Sequence, residues 1–63
     1  MLYDIRWFDT TKTGKLIVRK FQGHAQEFVK EGYYCFPYNG KVQFISKAEC
    51  IACVWVGDRW QNV

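Results

Sequence analysis

The side chains with the most chemistry in this 63-residue chain are three cysteines and one histidine. Cys50-Ile-Ala-Cys53 is a CxxC, and His24 and Cys35 would complete the Cys₃His set of a tetrahedral zinc site. The surroundings argue against that set. The pair stands inside the apolar run CIACVWV, which reads as a strand, and residues three apart on a strand point to opposite faces. No glycine follows Cys53 to open a knuckle. Cysteine is also a common small hydrophobe of protein interiors, so the expectation is thiols rather than ligands. A redox dithiol belongs at a helix N-terminus after a strand, a setting this run lacks.

Acid–base chemistry has no constellation to work with. His24 follows Gly23, where a surface or capping position is expected rather than a general base. Asp4, Asp9 and Asp58 form no recognisable pair, and no glycine-rich phosphate loop is present. The sequence therefore reads as non-enzymatic, with no cofactor and no small-molecule substrate.

Binding is the remaining class, and aromatic residues are its best vehicle. The chain has three tryptophans, four tyrosines and five phenylalanines, more rings than so small an interior readily hides. Asn39-Gly40, between two β-rich runs, is the signature of a two-residue type I′ turn. That turn pairs Tyr38 with Lys41, Pro37 with Val42, Phe36 with Gln43, Cys35 with Phe44 and Tyr34 with Ile45. One face of the hairpin then carries Tyr33, Cys35, Pro37, Val42 and Phe44, and is apolar enough to be core. The other carries Tyr34, Phe36, Tyr38, Lys41, Gln43 and Ile45. The plain reading of the second face is another packed surface, because rings are large hydrophobes first. The sharper reading is an exposed platform for a partner. Pro37 donates no bond, which makes the strand 33–38 a sheet edge at that residue.

Two binding classes follow. The first is a protein partner or a second copy of the chain, anchored by Tyr34, Phe36, Tyr38, Lys41 and Gln43, with Arg59 and Trp60 from the C-terminal tail. The second is nucleic acid, with Arg19, Lys20, Lys41 and Lys47 on phosphates and the tyrosine stripe stacking on bases. The net charge of +3 is mild for the second class, so the first ranks higher.

The elements that must position these residues are short. Leu2–Phe8 alternates, with Tyr3, Ile5 and Trp7 on one face and Asp4 and Arg6 on the other. Residues 9–14 are a polar turn. Lys15–Phe21 is a second strand, with Leu16, Val18 and Lys20 on one face and Ile17, Arg19 and Phe21 on the other. HAQEFVKE, residues 24–31, spaces Ala25, Phe28 and Val29 for a short helix, with Gly32 at its C-cap. Ser46 with Glu49 suggests a capping box and a single turn at 46–49. Cys50–Val56, apolar at almost every position, reads as a central strand covered on both faces. Residues 57–63 read as a tail, with Trp60 returning to the body.

The expected fold is thus mainly β and one domain over 1–63. Five short strands, one short helix and a one-turn link before the last strand resemble small SH3-like barrels; a curled antiparallel sheet is the other form. The size and style also resemble small proteins of bacteria and their phages. No functional residue follows from either resemblance. No apolar run approaches the roughly 20 residues of a membrane span. MLYDIRWFD lacks the apolar stretch of a secretory signal, and an odd number of cysteines suits a reducing compartment, so the expected location is cytoplasmic.

Overall fold

The computed structural model describes residues 1–27 and 32–63, and in them the chain is mainly β. Its strands are β1 (Leu2–Thr10), β2 (Leu16–His24), β3 (Gln26–Glu27), β4 (Tyr33–Tyr38), β5 (Lys41–Ser46), β6 (Cys50–Val56) and β7 (Arg59–Asn62). They form two antiparallel sheets, ordered β2-β1-β6-β7 and β3-β4-β5. There is no closed barrel among the described residues.

The β4–β5 hairpin has the register its turn dictates, from Tyr38↔Lys41 to Tyr34↔Ile45. Asn39 and Gly40 have φ of 51° and 75°, the left-handed pair a type I′ turn requires. β3 pairs only with Tyr34 and Cys35, so the Pro37 end of β4 is an open edge where a missing N–H costs no bond.

The inner faces of the two sheets meet in an aromatic core. Tyr3, Ile5, Trp7 and Val54 come from the larger sheet, Tyr34 and Phe36 from the smaller, and Ala25 from the corner between them. Phe36 is enclosed by Phe21 and Trp7, with ring centroids at 4.3 and 5.4 Å, and Tyr34 meets Tyr3 at 5.4 Å. Offset and tilted ring pairs of this kind contribute about 0.5–1.5 kcal/mol each beyond the area they bury.

Four expectations are corrected. First, residues 24–27 are not helical. His24 ends β2, Ala25 is the buried corner, and Gln26 and Glu27 pair with Cys35 and Tyr34. A two-turn helix is marginal alone, and ladder bonds to β4 offer these residues more. The rest of that helix, with Phe28 and Val29, lies outside the described residues. Second, the core face of the hairpin is the opposite one. Tyr34 and Phe36 are each only 2% exposed, whereas Tyr33, Val42 and Phe44 are exposed. Third, β6 is central in its sheet but covered on one face only, since Ile51 and Trp55 on its other face are exposed. Fourth, the tail is a strand: β7 pairs Trp60 with Trp55 and Asn62 with Cys53. The turn at 46–49 is present as one 3₁₀ turn, Lys47–Glu49, with the Ser46 hydroxyl accepting from the Ala48 amide at 3.3 Å.

Candidate functional site

The core takes the aromatic stripe out of consideration as a surface. A stacking or docking platform needs exposed rings, and Tyr34 and Phe36 are interior. Tyr38 is half-buried, with its ring edge-on to Trp7 at 5.2 Å. Gln43 is half-buried and Lys41 exposed, both at the hairpin end.

The candidate phosphate contacts are divided by the fold. Arg19 lines a groove with Tyr38, Lys41 and Gln43, but its Nε donates to Asp9 Oδ2 at 3.2 Å, and that hydrogen bond raises its already high pKa. Lys47 Nζ donates to Glu27 Oε1 at 2.9 Å and lies 5.1 Å from the Tyr34 ring centroid. The Glu27 bond holds Lys47 protonated beyond the usual lysine range. Lys20 stands on the outer face of the larger sheet, opposite Arg6. These four cations therefore form no single strip.

The candidate zinc ligands are divided as well. His24 and Cys35 line one depression. Cys50 and Cys53 project to opposite faces of β6, as alternation requires. All three cysteines are free thiols, and the described residues contain no group of three potential ligands. Burial raises the Cys50 pKa above its ordinary value. Burial also raises that of the Tyr34 phenol, with Lys47 opposing the shift.

The fold leaves the outer faces of both sheets open, and the larger of the two is that of the β2-β1-β6-β7 sheet. Its side chains follow from the register. Val18 stands beside Phe8; Lys20, Arg6 and Ile51 form the next row; Gln22, Asp4, Cys53 and Asn62 the next; and Trp55 faces Trp60 at the far corner. Phe8 is 68% exposed, Val18 62% and Ile51 71%. Trp55 and Trp60 meet edge to face at 5.2 Å and remain partly exposed. In the middle of the face Arg6 Nε donates to Asp4 Oδ1 at 3.1 Å, and Gln22 Nε2 donates to Asp4 Oδ2 at 3.3 Å. Of the anchors expected from sequence, Trp60 belongs to this face. Arg59 lies exposed on β7, paired with Val56, on the opposite side of the sheet.

Phe8, Val18, Ile51 and Trp55 were not expected as site residues. Their signal was nonetheless present: β1, β2 and β6 each carry apolar side chains on both faces, while the chain supplies only two layers. Large apolar side chains gathered on one sheet face form the kind of patch found at protein, membrane and ligand contacts. Comparison with protein-family models, with curated proteins and with solved structures returned no match.

Proposed function

We propose that the chain is a non-catalytic binding module whose contact surface is the outer face of the four-stranded sheet. The observation that carries this reading is the exposure of Phe8, Val18, Ile51, Trp55 and Trp60 on that one face. Tryptophan and phenylalanine anchor interfaces because they combine large apolar area with few rotatable bonds. Arg6, Asp4, Lys20 and Gln22 supply polar contacts among them. The partner is a protein surface. Nucleic acid ranks second, because only Arg19 and Lys41 of its candidate contacts line one groove, and Arg19 is already paired. Free thiols at Cys35, Cys50 and Cys53 fit a reducing, cytoplasmic setting.

The SH3-like reading of the architecture draws support from two features. β2 runs through Ala25 into β3, so one bent strand serves both sheets, and a 3₁₀ turn leads into the strand that pairs with β1.

Photo-crosslinking in cells tests the function. A photoreactive side chain in place of Ile51 should give covalent adducts with protein. The same group in place of Val42, on the outer face of the other sheet, should give few. Absence of adducts from position 51 would remove the proposal, as would adducts from position 42 alone.

A further inference from the structure

We propose that the occupant of this face is a second copy of the chain, packed sheet against sheet about a two-fold axis that crosses β1 at Ile5. The inference rests on the proposed contact surface and adds its partner.

Charge gives the first argument. Asp4 and Arg6 flank Ile5 on β1 and point to the outer face. A two-fold axis lying between the sheets, perpendicular to the strands at Ile5, reverses β1 over itself. Arg6 of one copy then lies over Asp4 of the other, and the reverse. Each copy's 3.1 Å ion pair thereby becomes half of a four-charge cluster of alternating sign. In the free chain Arg6 is more than half exposed, and such a surface pair contributes little. Enclosed between two sheets, it fixes register. The ionised side chains of the face, Asp4, Arg6, Lys20 and Glu49 at its rim, balance in sign, although the chain as a whole carries +3. A neutral face suits its own copy better than a polyanion.

Area gives the second argument. The chain exposes 5039 Å² at a mass of 7.5 kDa. The surface–mass scaling of folded monomers predicts about 4,200 Å², leaving an excess of roughly 800 Å². A standard interface removes about 800 Å² from each partner. The face itself is large enough to accept that contact. Its strands of nine, nine, seven and four residues, about 4.8 Å apart and about 3.3 Å per residue, measure roughly 460 Å² in plan before side-chain relief is counted. The same reversal carries the Phe8–Val18 end of one copy to the opposite end of β1 and β2 in the other. It also brings the Trp55–Trp60 pair toward the Ile51 end of the second β6. Aligned sheets pack with a small rotation and interdigitated side chains, which this corrugated face supplies.

Sedimentation equilibrium of the full chain and four variants tests the proposal. The wild type should sediment at twice the 7.5 kDa chain mass and dissociate on dilution. Ile51→Lys and Arg6→Glu should each weaken association by about tenfold or more. Val42→Lys should leave it unchanged. Because Arg6, Ile51 and Val42 are all exposed, each variant should keep the wild-type circular dichroism spectrum, and a variant that loses it is replaced by Ile51→Thr. Joining Asp4→Arg to Arg6→Asp should restore pairing, since the swap preserves the alternation of sign. A wild type that stays monomeric at every concentration would overturn the proposal, and so would dissociation caused by Val42→Lys but not by Ile51→Lys. A monomer whose position 51 still crosslinks to a different protein would sink the second copy while leaving the contact face standing. A monomer without adducts would remove both.

Discussion

Phe36 stacks on Phe21 with ring centroids 4.3 Å apart and an interplanar angle of 21°. The contact joins the smaller sheet to the larger and turns the aromatic stripe of the β4–β5 hairpin into core. Phe36→Ala should therefore destabilise the fold by about 3–5 kcal/mol. A chain of this length has roughly 3–9 kcal/mol in all, so the variant should lose about half of its stability or more, read as a large drop in its thermal and urea midpoints. A loss below about 1 kcal/mol would contradict this packing.

The turn at Asn39-Gly40 makes a second prediction. Beyond its two chain neighbours, no residue comes within 4 Å of a Cβ built on Gly40, so Gly40→Ala introduces no tertiary clash. Its φ of 75° alone should cost about 1–2 kcal/mol, because side chains resist the left-handed region. Urea midpoints of the two proteins measure the difference.

Tyr34 sets a pH dependence. Burial places its folded-state pKa above the ordinary value of 10.0. Below that value the phenol is protonated whether the chain is folded or not, and its contribution is fully present. As pH rises through 10.0 toward the raised folded value, the unfolded chain ionises first and stability is lost. Lys47, also raised, loses its bond to Glu27 in the same direction. Tyr34→Phe should flatten the alkaline loss of stability without abolishing it, as read from denaturation midpoints across that range.

Cys50 should react slowly with thiol reagents. Its side chain faces inward on β6, its Sγ lies 3.9 Å from the Lys47 carbonyl oxygen, and burial raises its pKa. The thiolate is the reactive form, so its alkylation should lag and should accelerate only at a pH above that of an ordinary thiol. Mass spectrometry of a timed alkylation series checks this. Cys50 modified as fast as a small-molecule thiol would place it outside the core.

Local chemistry made part of the fold legible. Asn39-Gly40 dictates a turn type, the turn type dictates a register, and every pair from Tyr38↔Lys41 to Tyr34↔Ile45 follows. The alternation of Tyr3, Ile5 and Trp7 likewise marks the face of β1 that packs inward. What alternation does not carry is which face of a hairpin turns inward. Tyr33, Cys35, Pro37, Val42 and Phe44 look the more apolar set, yet Tyr34 and Phe36 fill the space opposite Tyr3 and Trp7. That choice depends on the shape of the facing sheet, which no single strand encodes. The same gap hid the contact face. Ile51 between Cys50 and Ala52 reads as part of a doubly covered strand, and only the sheet order leaves its outer side open. The eight-residue stripe at 24–31 suggested a helix because periodicity in so short a window cannot register the ladder partners at Tyr34 and Cys35.

The central claim is that binding occurs on the outer face of the β2-β1-β6-β7 sheet. The most direct measurement is a ¹H–¹⁵N correlation spectrum recorded across a dilution series, then with mixed-sequence oligonucleotides at low and high salt. The amides of Phe8, Val18, Ile51 and Trp60 should shift with dilution and ignore the oligonucleotides. Salt-sensitive shifts at Arg19, Tyr38 and Lys41 on adding oligonucleotide, with that face unmoved on dilution, would contradict it.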